Sequence, residues 1–202
     1  MTEGVVQDFP EATQESPLVV LAQSVRRDLS VDARACALDE LPFLDMVNLR
    51  GAAADPRFAD AVRSATGLEL PLRPNSASRD GAVKLIWLGP DEWLLKLAPG
   101  QGESMAAVLR AALVGQHASV VEVGSGYTTF TVQGPAAGDL LARGCPLDLY
   151  PSVFAAAAVA QSHIARAPVL IDCLEAGLSF ELTVRRSFAP YLHGWLVEAG
   201  WS

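Results

Sequence analysis

Positive charge is scarce in this chain. Over 202 residues Lys and Arg number 15 against 23 Asp and Glu, a formal net charge of −8. The tight basic pairs are Arg26-Arg27 and Arg185-Arg186. Binding to a phosphate backbone needs clustered cations, so a nucleic-acid partner is excluded. Thiols are scarce as well. Cys36, Cys145 and Cys173 are odd in number and widely spaced, which argues against a disulfide framework and fits a reducing compartment. His117, His163 and His193 stand far apart. Without a His-x-x-x-His or a nearby carboxylate pattern they do not make the three or four convergent ligands of a metal site. Long apolar runs are missing, so no transmembrane helix is expected. Residues 1–15 carry Glu3, Asp8, Glu11 and Glu15 and no Lys or Arg, the opposite of a signal-peptide start. A cytoplasmic protein with no membrane partner is the expectation.

What the chain does have is apolar mass. Half its residues are hydrophobic, 19% are charged, and the mean hydropathy is +0.26. A large core, or a surface hidden against a partner, accounts for that value. The most informative segment is Ile86-Trp87-Leu88-Gly89-Pro90-Asp91-Glu92-Trp93-Leu94-Leu95. Pro presets φ at the first corner of a tight turn, and Asp and Glu solvate it. The flanking runs have strand length, so the segment reads as a hairpin. It presents two large aromatics and two carboxylates, but no nucleophile, metal-ligand cluster or phosphate loop.

Residues 1–15 read as a flexible acidic tail and 16–202 as one α+β domain, with pseudo-halves at about 45–115 and 118–199. Ser16-Pro17 predicts a short helix through about Ser24, with Ser as its cap. Residues 30–44 read as connection, and Asp45 to Leu49 as a strand. Asp55-Pro56 opens a helix with Phe58, Ala61, Val62 and Ala65 on one face and Gly67 as its stop. Residues 71–81, rich in Pro, Asn and Ser, read as a flexible loop. After the Trp hairpin comes a helix over about 103–114, then a strand over 119–123. Gly124-Ser125-Gly126 reads as a hairpin turn into an alternating strand, Tyr127 to Gln133. Gly134-Pro135 opens a helix that Arg143-Gly144 closes. Three strands, at 158–164, 168–174 and 178–184, precede a last helix capped by Ser187. Its expected apolar face is Phe188, Tyr191, Leu192, Trp195 and Leu196, with Pro190 in the first turn. Strands and helices alternate without a βαβ rhythm, so the sheets are expected to be antiparallel with helices packed on them.

Four phrases now stand in order: Val47-Asn-Leu-Arg-Gly51, Trp87-Leu-Gly-Pro-Asp-Glu-Trp-Leu-Leu95, Gly134-Pro-Ala-Ala-Gly-Asp-Leu-Leu-Ala-Arg-Gly-Cys-Pro-Leu-Asp-Leu149 and Phe180-Glu-Leu-Thr-Val-Arg-Arg-Ser-Phe-Ala-Pro-Tyr-Leu192. Together they resemble the gamma subunit of heterotetrameric sarcosine oxidase over roughly residues 35–197. More distantly, the run 119–143 is similar to the folate-binding domain of the glycine-cleavage aminomethyltransferase. The resemblance implies a cytoplasmic complex with alpha, beta and delta subunits. That complex oxidises sarcosine to glycine, with hydrogen peroxide and with formaldehyde or 5,10-methylenetetrahydrofolate as products. It also implies that FAD, FMN, NAD, tetrahydrofolate and zinc belong to the other subunits, and that the gamma chain is structural, with no catalytic, cofactor or metal residue of its own. The Ala155–Ala158 run, His193-Gly194 and Gly124-Ser125-Gly126 depart from the family pattern, in loops and in the last helix.

Several residues admit a chemical and a structural reading. Gly124-Ser125-Gly126 follows a strand as a dinucleotide loop would, but an alternating strand comes next where the helix should open. Cys145 with His163 has the residue types of a nucleophile and base, yet Pro146 marks a turn and a buried thiol is the simpler role. Asp91 and Glu92 have the types of an acid/base pair, but solvating a turn suffices. Trp87, Trp93 and Trp195 serve either as core or as partner anchors. Arg185-Arg186 is either a solvated strand end or pairs with acidic groups of a partner. The candidate subunit interface is therefore Trp87, Asp91, Trp93, Arg185, Arg186, Tyr191 and Trp195. The alternative function is a free-standing folate-binding protein of one-carbon metabolism, in which Asp172 or Glu181 would hold the amino-pyrimidine edge of a pterin.

Overall fold

The computed structural model describes residues 14–19, 26–32 and 34–200. Residues 1–13 of the acidic tail and most of the helix expected from Ser16 lie outside these residues, although the Ser16 hydroxyl does accept from the Leu18 N–H at 3.0 Å. Among the described residues, eleven strands form two antiparallel sheets. The five-stranded sheet has the order β4 (Ala77–Asp80), β5 (Val83–Gly89), β6 (Glu92–Leu97), β3 (Asp45–Arg50), β7 (Ser119–Glu122). The six-stranded sheet runs β1 (Arg27–Val31), β2 (Arg34–Leu41), β8 (Tyr127–Gln133), β11 (Ser179–Arg185), β10 (Ala167–Glu175), β9 (Val159–Ile164). Helices α1 (Pro56–Thr66) and α2 (Gly102–Ala112) cover the outer face of the five-stranded sheet. Helices α3 (Ala137–Ala142) and α4 (Ala189–Ala199) cover the outer face of the six-stranded sheet.

Period-2 alternation explains the layering. On β3 and β6, Val47, Leu49, Trp93, Leu95 and Leu97 meet Phe58 and Val62 of α1 and Ala106 and Leu109 of α2. On β8, β10 and β11, Phe130, Val132, Ile171, Phe180, Leu182 and Val184 meet Leu140, Leu141, Leu192 and Leu196. The opposite faces of the two sheets turn toward each other, where Met46, Ile86 and Leu94 meet Val159 and Leu170. The order is thus helices, sheet, sheet, helices.

Helix α1 forms as expected, with the Asp55 carboxylate accepting from the Arg57 N–H and Gly67 at φ 73 closing it. The Trp hairpin also forms, with Trp87 opposite Trp93.

Other expectations are corrected. Residues 30–44 are not connection: β1 and β2 form a hairpin, and β2 pairs with β8. The inward face of β2 reads Cys36, Leu38, Glu40, and the carboxylate at the third position breaks the apolar alternation. Hydroxyls of Ser16 and Thr128 donate to Glu40 at 2.5 and 2.6 Å and make its burial tolerable. Residues 71–81 are not all loop, because Ala77–Asp80 pairs with β5 as a short polar edge strand. Gly124–Gly126 is a single turn of 3-10 helix, not a hairpin turn. It carries the chain from β7 in one sheet to β8 in the other. The last helix begins after a 3-10 turn, and no side chain caps it. His193 lies on its buried face, 6.1 Å from the Phe130 ring centroid.

Candidate functional site

The seam between the two sheets is where charge is buried. Alternation places Lys84 and Lys96 on the inward face of β5 and β6, and Asp172, Glu181 and Thr183 on the inward face of β10 and β11. Arg79 Nη2 donates to Asp172 Oδ1 at 2.5 Å, and Lys84 Nζ to Asp172 Oδ2 at 3.0 Å. Glu181 receives Lys84 on one oxygen and Lys96 on the other, each at 2.8 Å. Lys96 Nζ also reaches Thr183 Oγ1 at 3.1 Å, which stands 3.3 Å from Thr129 Oγ1. Lys96 and Asp172 are each 2% exposed, so these groups have exchanged water for one another.

Three basic side chains thus meet two carboxylates, and burial and these charges together set the pKa directions. Burial opposes ionisation of Glu181, but the charges and hydrogen bonds of Lys96 and Lys84 outweigh it and hold the carboxyl below its ordinary range. Burial pushes the Lys96 ammonium down, Glu181 draws it part of the way back, and Lys84 adds to the depression.

Arg79, Lys84 and Lys96 escape a reading of the sequence. The signal that marks two of them is a Lys at an inward position of a strand, as in Lys84-Leu-Ile and Leu-Leu-Lys96. Asp172 and Glu181, the carboxylates offered for a pterin, each hold a cation on both oxygens. The seam ties one sheet to the other through these ion pairs.

The interface candidates do not form one patch. Trp93 is corrected to core: it is fully buried, tilted against Phe58 at 5.6 Å, and its Nε1–H donates to the Pro71 carbonyl at 2.8 Å. A central strand beneath α1 leaves it no surface to present. Trp87 is half-buried and shares a shallow depression with Leu72, Pro74 and Pro90. Asp91 is exposed at the hairpin tip, 3.8 Å from Arg50. Glu92 is held by Asn48 at 2.8 Å and Arg50 at 3.3 Å, a turn-bracing role. Arg185 lies over the Tyr127 ring at 5.4 Å. Arg186 donates to the Glu15 carbonyl at 2.7 Å. The Tyr191 hydroxyl accepts from the Arg166 N–H at 3.3 Å, and Trp195 packs half-buried on the six-stranded core.

The three cysteines are buried and free. Burial pushes the Cys36 and Cys173 thiols up, which suits inert packing. Cys145 points its thiol at Ser162, 3.8 Å away, while the neighbouring His163 is exposed. Among the described residues no group of three or more His, Cys, Asp or Glu could hold a metal ion. No helix among them is long and apolar enough to cross a membrane.

Comparison with known proteins converges on one family. Residues 50–201 match the sarcosine oxidase, gamma subunit family. Sarcosine oxidase subunit gamma of Corynebacterium sp. (strain P-1) is 30% identical over 190 residues, covering 93% of this chain and 90% of the relative. Among solved structures, heterotetrameric sarcosine oxidase from Corynebacterium sp. U-96 in complex with pyrrole 2-carboxylate contains a similar chain. It is 27% identical, covers 92% of this chain and 94% of its own, and superposes with a TM-score of 0.80. Glycine cleavage system aminomethyltransferase T from Bartonella henselae shares the fold at 14% identity, with a TM-score of 0.64 and coverage of 91% of this chain and 57% of its own.

Proposed function

Because this chain belongs to the sarcosine oxidase gamma subunit family, we propose that it is the non-catalytic structural subunit of a heterotetrameric sarcosine oxidase. In this role it assembles in the cytoplasm with alpha, beta and delta subunits. The complex oxidatively demethylates sarcosine to glycine, releasing hydrogen peroxide and formaldehyde or 5,10-methylenetetrahydrofolate. FAD, FMN, NAD, tetrahydrofolate and zinc lie in the other subunits.

The observation that carries the structural role is the seam. A fold shared with aminomethyltransferase T raises the question of tetrahydrofolate, and a pterin needs a carboxylate for its amino-pyrimidine edge. Asp172 and Glu181 are each already held by two cations. Opening the seam to admit a ligand would strand buried charge, which is costly. This chemistry supports a chain that folds and docks, and it disfavours a free-standing folate-binding protein.

Co-expression with the candidate flavin subunits and affinity capture on this chain tests the proposal. A yellow complex that consumes oxygen with sarcosine is the expected product. A colourless lone chain beside well-expressed partners would sink the subunit reading. Calorimetry with tetrahydrofolate should register no heat at near-millimolar ligand, and binding there would revive the folate alternative.

A further inference from the structure

The loop between α3 and β9, and the end of β10 with its turn into β11, expose apolar side chains. Tyr150 is 69% exposed, Val153 63%, Leu178 39% and Leu174 38%. The two segments touch: a Cβ on Gly177 would stand 2.9 Å from Pro151 Cγ. Tyr150, Pro151 and Leu178 line one open cleft of about 370 Å³ with Asp139, Asp148 and Arg34. The loop is held in place, with Asp148 Oδ1 accepting from the Tyr150 N–H at 3.0 Å and the Val153 N–H donating to the Tyr150 carbonyl at 2.8 Å. Phe154 and Leu149 anchor it in the core beneath. An apolar centre holding a Tyr, framed by polar groups, is the anatomy of a protein interface.

Charge selects the occupant. Asp139 and Asp148 line the cleft with one arginine, Arg34, which is paired with Asp139, and Glu175 stands in the same turn as Leu178, whose N–H donates to the Glu175 carbonyl at 3.0 Å. A second copy of this chain would bring the same acidic rim against itself. Residues 1–13 of this chain carry Glu3, Asp8 and Glu11 and no Lys or Arg, so they are repelled as well. We infer that the patch around Tyr150, Val153 and Leu178 docks another subunit of the oxidase, one that presents apolar side chains framed by Lys or Arg. This inference rests on the subunit reading above.

The test captures the complex on the tagged full-length chain, comparing wild type with the double variant Tyr150→Ser/Val153→Ser. Both side chains are largely exposed, so the variant should melt with wild type. Val114→Ser, at an 80% exposed site just beyond α2, is the control. The double variant should recover roughly a tenth or less of the other subunits, and the control as much as wild type. Glu175→Lys should weaken capture further as salt falls, because it sets like charges together.

Undiminished recovery with the double variant overturns the docking site while leaving the subunit reading intact. No recovery with wild type sinks the subunit reading, and this occupant with it. A lone chain that sediments as a dimer, and as a monomer when Tyr150 and Val153 are replaced, assigns the patch to self-association. Stronger capture by Glu175→Lys makes the partner's rim acidic. Either of these last two results also overturns the proposal.

Discussion

Asp172 is the residue on which the seam turns. It is 2% exposed and answers both Arg79 and Lys84. Asp172→Ala leaves Arg79 without its carboxylate and Lys84 with Glu181 alone, and should cost about 3 kcal/mol, the usual range for breaking a buried pair from one side. Urea unfolding measures it, and a loss below about 1 kcal/mol would mean that the cations find water instead. Glu181 sets the pH response. Its folded-state pKa lies below the ordinary 4.5. Its contribution is therefore complete above pH 4.5 and is lost as pH falls through the lower, folded value. Stability should drop on acidification through that window, and Glu181→Gln should flatten the drop. A parallel drop in that variant would place the acid sensitivity elsewhere. The two Trp residues of the hairpin illustrate the limit of reading residues singly. Both have strand-length apolar surroundings and both lie on strands paired on each side, but only Trp93 is packed under Phe58 and fully buried. Which part of a sheet face a helix roofs is not written in a ten-residue window.

At the scale of elements, the helices and the Trp hairpin were legible because their signals are local. Asp55-Pro56 at the start and Gly67 at the stop delimit α1, and Gly89-Pro90-Asp91 turns the hairpin. Strands β2 and β4 were not legible. Glu40 occupies a core-facing position on β2, and only the distant Ser16 and Thr128 make that possible. β4 has the composition of a loop and is a strand only because β5 offers it an edge. The connection from β8 to α3 depends on one glycine. Gly134 has φ 126, and a Cβ there would lie 2.6 Å from the Ala35 carbonyl oxygen. Neither backbone can yield without breaking the β2–β8 pairing, so Gly134→Ala should cost about 3 kcal/mol. Thermal melting checks it, and a shift of only a degree or two would show that the turn has room to move.

Across the whole molecule, sheet membership ignores the division of the chain into a front and a back. β1 and β2, from the front, join the sheet of β8 to β11, while β7 pairs with β3. The charged seam then ties sheet to sheet. Wild type should unfold in one step, with far-UV CD and Trp fluorescence tracing the same curve. Two separated transitions would mean that each sheet and its helices form an independent unit. Composition and local pattern sufficed for the acidic, thiol-poor α+β character, for antiparallel pairing, and for the phrases that mark the family. Each of those properties resides in short stretches of chain or in simple totals. Which Trp is core, which carboxylates are paired and which apolar side chains stay exposed followed only from packing. Burial and charge balance belong to residues brought together from positions 88 or 93 apart, as Lys84, Arg79 and Asp172 are, and no local pattern encodes the meeting.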